Sequence, residues 1–204
     1  MIWNVTGSLR PSSLPGLFAV LLLVAASGNV TAESRDIVEE ARRILNEGTT
    51  FRVNISLAEP KPKFKVGDDI QFKVVSERDG YLSILSIGTS GKVTVLYPNE
   101  WTKSGKIEKG KTYLIPPADG DFAIAVSGPA GSQYVKAIVT EKPLVPDYGS
   151  PAPKGGLSSA GPFRQPNEPG KMMKDIGQEV TQLDRNDWSV SELSFQIVEQ
   201  DAGK

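Results

Sequence analysis

The sequence predicts a mainly β protein: an immunoglobulin-like antiparallel β-sandwich, preceded by one helix and followed by a helix and a further strand. Short segments alternate between apolar and polar residues, as the half-buried strands of a sandwich do. Glycine-containing turns separate these segments at intervals of about eight to twelve residues. A stretch rich in proline and glycine then precedes the last two elements.

The N-terminal residues 1–32 predict a signal peptide. The apolar run Leu17–Ala26 is too short for a hydrocarbon core, which needs about 20 residues, but it fits the centre of a signal peptide. Arg10 precedes it, and small residues at Val30 and Ala32 favour cleavage between Ala32 and Glu33. We therefore expect a periplasmic or secreted chain without a membrane span after cleavage, and an uncleaved anchor is the alternative.

The amino-acid composition removes several classes of function. The chain has no cysteine and no histidine, so disulfides, cysteine-linked lipid anchors, thiolate nucleophiles and imidazole-based catalytic or metal sites are excluded. Loss of Arg10 with the signal peptide changes the net charge from −1 to −2. Such a balanced charge does not favour binding to nucleic acid or to an anionic membrane.

The periodicity of the apolar residues changes along the chain. Residues 33–48 predict an amphipathic helix with Ser34 as N-cap, and residues 49–142 predict the sandwich. The predicted strands are Phe51–Leu57, Ile70–Val75, Tyr81–Ile87, Lys92–Tyr97, Thr112–Ile115, Phe122–Ser127 and Tyr134–Thr140. We place Leu82, Ile84, Val93 and Val95 on the core face, and Ser83 with Lys92 or Thr94 on the outer face.

Residues 143–170 predict a flexible Pro/Gly-rich linker, because they contain too few apolar side chains to offset the entropy lost on ordering. Residues 171–200 then predict an amphipathic helix, about Lys171 to Leu183, and a strand, Trp188 to Val198. A helix and a strand alone could not bury their apolar residues, so we expect both to pack back on the sandwich.

No residues form a convincing catalytic or metal site, and no cofactor is expected. Asp68-Asp69 and the sequence Asp119-Gly120-Asp121 offer oxygen ligands for calcium, but they lack the spacing of a calcium-binding loop and are typical of turns. A Ser-Lys pair of Ser104 with Lys103 or Lys106 lacks the second motif of such enzymes.

Four residues of the central hairpin region are the candidate binding residues: Tyr81, Tyr97, Asn99 and Trp101. Aromatic rings with a polar atom line sugar and peptide grooves, where the ring supplies contact area and the polar atom supplies direction. The alternative is that these side chains fill the core and close loops.

Several ordered blocks resemble the bacterial family known as domain of unknown function 4384. They are Phe64–Asp68, Arg78–Leu82, Gly91–Val93, Leu96–Asn99 and the run from Gly110 to Pro116, and the resemblance covers about residues 59–143. It implies an exported, non-catalytic β-rich accessory module, and it supplies no functional residues.

The expected function is a non-catalytic, exported binding module of the bacterial cell envelope whose partner is an envelope protein or polymer. Two alternatives stay open: a hydrolase that acts through carboxylates or a Ser-Lys pair, and a structural subunit of the envelope.

Overall fold

The computed structural model describes residues 32–100, 102, 104–120, 122–144, 150–151 and 163–200. These residues form two helices and thirteen strands. In chain order they are α1 (Ala32–Arg43), β1 (Val53–Leu57), β2 (Phe64–Lys65), β3 (Asp69–Ile70), β4 (Phe72–Ser76), β5 (Gly80–Ile87), β6 (Val93–Tyr97), β7 (Lys106–Ile107), β8 (Thr112–Ile115), β9 (Ile124–Ala125), β10 (Gly131–Thr140), β11 (Ser150–Pro151), β12 (Arg164–Gln165), α2 (Pro169–Thr181) and β13 (Trp188–Val198).

Two sheets face each other. The smaller has the strand order β1-β4-β8, and the larger has the order β11-β12-β6-β5-β10-β13-β2, with β7 also paired to β5. Neighbours are antiparallel except β13 and β2. The strands β3 and β9 form a separate two-stranded sheet. The predicted mainly β, antiparallel sandwich is confirmed.

A hydrophobic core fills the space between the two sheets. From the smaller sheet, Phe72 and Val74 are almost fully buried, and from the larger sheet Leu82 and Ile84 face them in the same cluster. Alternate residues of each strand supply this core, as the period of a strand requires.

The opposite face of the larger sheet is covered by α1 and α2. Val93 and Val95 pack there against Met173 and Ile176 of α2, so they do not lie between the sheets as predicted. The prediction was wrong because both faces of this sheet are buried. Strands buried on both faces become nearly continuous apolar runs, and alternation then no longer identifies the inner face.

The C-terminal strand β13 lies inside the larger sheet. It pairs with β10 from Trp188 opposite Thr140 to Ile197 opposite Gly131, and its far end pairs with β2. Beneath it, the main-chain N–H of Ile55 donates to Ser191 Oγ at 3.3 Å. The C-terminal segment therefore belongs to the same folded unit as the central strands.

Parts of the predicted linker are ordered. Leu144 and Phe163 are buried, Arg164 pairs with Val95 of β6, and α2 already begins at Pro169. These residues correct the expectation of a flexible connection over all of 143–170, because single apolar side chains anchor its ends to the sheet. Ser150–Pro151 also form the short strand β11, which pairs with β12, whereas residues 145–149 and 152–162 lie outside the described part of the chain.

The N-terminal helix differs from its prediction at both ends. It includes Ser34, so Ser34 is not its N-cap, and it ends at Arg43. Asn46 lies beyond the helix, and its Nδ2 donates to the carbonyl oxygens of Arg185 at 2.9 Å and Trp188 at 2.7 Å. Residues 1–31 of the predicted signal peptide lie outside the described residues. Neither described helix combines the length and the apolar character needed to cross a bilayer.

Candidate binding site

A pocket of about 300 Å³ opens between β8 of the smaller sheet and the end of β6 in the larger sheet. We call it the tyrosine pocket because two tyrosines, Tyr97 and Tyr113, line it. Its other lining residues are Asn99, Thr102, Ser104, Lys106, Glu108, Lys111, Leu114, Ile115, Pro117 and Phe122.

Tyr97 ends β6, and its side chain is mostly buried. Burial raises the pKa of its phenol above the ordinary 10.0, and Tyr113 raises it further. The phenol therefore keeps its proton at physiological pH. Its hydroxyl makes no hydrogen bond to the described residues, and its side chain lines the pocket; because the described residues include no buried side-chain polar atom without a partner, this hydroxyl is accessible as a donor.

Tyr113 is held by the turn between β7 and β8. The main-chain N–H of Glu108 donates to the Tyr113 hydroxyl at 2.8 Å, and Lys111 Nζ lies 5.5 Å from the centre of the ring. Lys111 also pairs with Glu108 at 3.2 Å, and this carboxylate raises the pKa of the lysine. The ammonium group of Lys111 is thus charged and lies beside the ring of Tyr113.

Asn99 stabilises the loop after β6. Its Nδ2 donates to the Leu96 carbonyl oxygen at 3.0 Å, and its Oδ1 accepts from the main-chain N–H of Thr102 at 2.9 Å. Only 4% of Asn99 is exposed. An asparagine with both amide atoms engaged at a tight turn chiefly fixes the backbone, which is the loop-closing role considered as an alternative.

Tyr81 lies in a second cavity of about 200 Å³, which Asn99 also lines together with Leu144 and Arg164. The structure thus places Tyr97 and Asn99 on the first pocket and Tyr81 and Asn99 on the second. Trp101 lies outside the described residues. Lys111 was not predicted as a site residue, and Lys106 was considered only for a Ser-Lys pair and not for binding, since surface lysines give no sequence signal of a shared pocket until β6, β7 and β8 converge.

The Ser-Lys and calcium candidates have other local roles. Ser104 Oγ accepts from the main-chain N–H of Lys106 at 3.4 Å, and Asp68 Oδ2 accepts from the main-chain N–H of Lys65 at 3.0 Å. Both contacts are typical of turns. Lys103 and Asp121 lie outside the described residues.

Residues 63–143 match the family model described as Domain of unknown function (DUF4384). The resemblance drawn from the sequence blocks is confirmed over these residues. The match includes the tyrosine pocket and β2 to β10, and it leaves out both helices, β1 and β11 to β13. No curated protein matches the chain.

Proposed function

We propose that this chain is a non-catalytic binding module of the bacterial cell envelope, exported to the periplasm or the medium, and that it contacts an envelope protein or polymer through the tyrosine pocket. The observation that carries the proposal is that Tyr97 lines a concave site while its hydroxyl has no hydrogen-bond partner among the described residues. An unengaged donor beside aromatic surface is the arrangement by which a recognition site orients a ligand.

The charges around the pocket support a ligand rich in acceptor atoms. Lys106, Lys111 and the Tyr97 hydroxyl all offer donors, whereas Glu108 is the lining residue with a carboxylate. Carboxylates, sugar oxygens and peptide carbonyls would complement this set. The export part of the proposal is supported by the pattern of residues 1–32.

The test is retention of envelope components by immobilised protein, expressed from the full chain and with its N-terminus identified by mass spectrometry. Tyr97→Phe removes the hydroxyl and keeps the ring. We expect this variant to weaken retention about two- to tenfold, the value of one hydrogen bond. Lys92→Ala, an exposed lysine on the turn between β5 and β6, is the matched surface control and should retain the partner like the wild type.

Retention of no component by the wild-type protein would overturn the binding function. Equal retention by Tyr97→Phe and wild type would remove the pocket from the site. The competing hydrolase would reveal itself as turnover of peptidoglycan, peptides or glycosides that is abolished by Ser104→Ala or by substitution of one aspartate. A structural subunit would instead show stable self-association in light scattering.

A further inference from the structure

We propose that the outer edge of β8 accepts an extended, acidic segment of a partner polypeptide as an added strand, and that alternate side chains of this segment enter the tyrosine pocket. The inference rests on the proposed binding function and specifies its partner class. It depends on three features: a free strand edge, the position of the pocket beside that edge, and the charge around both.

The first feature is the position of β8 at the end of its sheet. In the order β1-β4-β8, β4 pairs with one side of β8, and no strand among the described residues pairs with the other side. An unpaired edge presents main-chain N–H and C=O groups that can extend the sheet.

The hydrogen-bond alternation shows which groups point outward. Between β1 and β4, the Glu77 N–H donates to the Arg52 carbonyl oxygen at 2.9 Å, and the Ala58 N–H donates to the Gln71 carbonyl oxygen at 2.8 Å. Odd-numbered residues of β4 therefore direct their main-chain groups to β1. Even-numbered residues, such as Val74, direct theirs to β8.

The same alternation continues into β8. Val74 lies opposite Tyr113, and Phe72 lies opposite Ile115, so Tyr113 and Ile115 direct their main-chain groups to β4. Thr112 and Leu114 consequently direct their N–H and C=O groups away from the sheet. A partner strand would bond to these two residues.

The second feature is that the pocket continues the inner face of this edge. Ile115 is buried between the sheets, Tyr113 packs against the same core, and both line the tyrosine pocket. In an added strand, the residues opposite these two would point to the same face. Their side chains would enter the space of about 300 Å³ between β8 and Tyr97.

The third feature is the positive charge along the edge. Lys106, Lys109 and Lys111 are exposed in the turn region before β8, and the carboxylates beside them are those of Glu108 and Asp79, whose Oδ1 accepts from the main-chain N–H of Lys109 at 2.6 Å. Lys73, exposed on the outer face of β4, lies opposite Leu114. Charge complementarity therefore favours an acidic segment, which would also be steered to the site at low salt.

This charge argues against a second copy of the chain as the occupant. Lysines beside an edge strand discourage pairing of two identical edges, because like charges would come close to each other. An acidic partner segment would not meet that repulsion, so the same lysines favour an acidic segment over a second copy of the chain. Strand addition combines main-chain bonds for affinity with side-chain pockets for specificity.

The experiment uses a phage library of random ten-residue peptides, selected on protein expressed from the full chain. We expect enrichment of sequences that alternate acidic and apolar residues. Synthetic versions of the enriched peptides are then measured by fluorescence polarisation. Scrambled peptides of the same composition should bind at least about tenfold more weakly, because they lose the alternation.

Two protein variants separate main-chain pairing from side-chain contact. Leu114→Pro removes an outward N–H that no described strand uses, so the hydrogen bonds between β4 and β8 are kept. We expect this variant to bind the peptide about tenfold more weakly or worse. Leu114→Ala keeps the N–H but shortens a side chain that lines the pocket, so the loss of binding that Leu114→Pro shows beyond Leu114→Ala measures the main-chain bond. Lys111→Glu should weaken binding, whereas Lys174→Glu, the same charge change on α2, should not.

Equal binding by Leu114→Pro and wild type, or enrichment of sequences without acidic residues, would overturn the proposal. Should Leu114→Pro fail to fold, amide exchange of the wild-type protein decides: the Thr112 and Leu114 amides must become protected when the peptide is added. Retention of envelope components by the immobilised protein tests the proposed binding function separately. If a component is retained equally by Leu114→Pro and wild type, the binding function is supported and the added strand is rejected.

Discussion

At the scale of single residues, Lys136 is the charged side chain that is buried among the described residues. It is fully buried on β10, where its Nζ donates to the Ile44 carbonyl oxygen at 2.7 Å and lies 3.3 Å from Glu192 Oε2. The Tyr134 hydroxyl donates to the same carboxylate. These contacts connect the end of α1 to the larger sheet, and they satisfy an ammonium group that burial would otherwise leave unpaired.

Burial lowers the pKa of Lys136 below its ordinary 10.5, although Glu192 opposes this shift. Between the folded pKa and 10.5 the unfolded chain binds more protons than the folded one, so the free energy of unfolding rises with pH in that interval. Tyr134 acts in the opposite direction above pH 10.0, because burial and Glu192 raise its pKa while nearby Arg42 lowers it.

A Lys136→Met variant tests whether Lys136 makes the free energy of unfolding rise with pH. The difference in free energy of unfolding, wild type minus variant, should increase from neutral pH toward 10.0, the ordinary pKa of tyrosine. The increase should be up to about 1.4 kcal/mol for each unit by which the lysine pKa is lowered. Urea unfolding at several pH values measures it, with Lys174→Met on the exposed side of α2 as the control. A flat or decreasing difference would contradict the assignment.

At the scale of elements, α2 decides how the larger sheet is buried. Both faces of the strand β5 are buried, and its apolar residues divide between two cores: Leu82 and Ile84 face the smaller sheet, whereas Leu85 and Ile87 face the helices. The sequence predicted the strand at nearly the right residues. It placed Leu82 and Ile84 on the core face correctly, but it did not predict that Leu85 and Ile87 enter a second core, because alternation does not identify the inner face when both faces are covered.

Truncation of Ile176 tests the helix layer. Ile176 is fully buried against the larger sheet, so Ile176→Ala should lower the free energy of unfolding by about 2–5 kcal/mol. Gln178→Ala, at an exposed position of the same helix, should change it by less than about 0.5 kcal/mol. Urea unfolding of both variants provides the comparison. Similar small effects of the two would mean that α2 does not stabilise the sheet.

At the scale of the whole molecule, the folded unit is larger than the family-matched segment. Residues 63–143 contain β10, yet β10 pairs along its whole length with β13, and both helices that cover the sheet lie outside the match. The strand β1, which completes the smaller sheet, also lies outside it. The flanks are therefore structural parts of the domain.

A fragment of residues 63–143 should accordingly fail to fold alone. It would expose the helix-facing side of the larger sheet and leave β10 as an edge, which favours aggregation. We expect no cooperative thermal transition in circular dichroism for this fragment. A chain of residues 33–200 should unfold cooperatively. A cooperative transition of the short fragment would show that the flanks are dispensable.

The candidate site illustrates the same division between sequence and structure. Tyr97 and Asn99 were predictable as polar and aromatic residues next to a turn, but their roles differ: Asn99 holds its loop, whereas the Tyr97 hydroxyl lines the pocket. Lys106 and Lys111 join them only because β7 and β8 bring distant residues to the same opening. Local sequence carries no information about that convergence.

Side-chain periodicity and turn residues, which are local properties, were enough to predict the β class and most strand positions, including Thr112–Ile115 and Trp188–Val198. The sequence also excluded chemistry that needs thiol or imidazole groups. The tertiary structure decided which face of each strand meets which layer, that β13 lies within the sheet, and that β8 has a free edge beside the tyrosine pocket. These features depend on contacts between residues far apart in the chain, which no local pattern specifies.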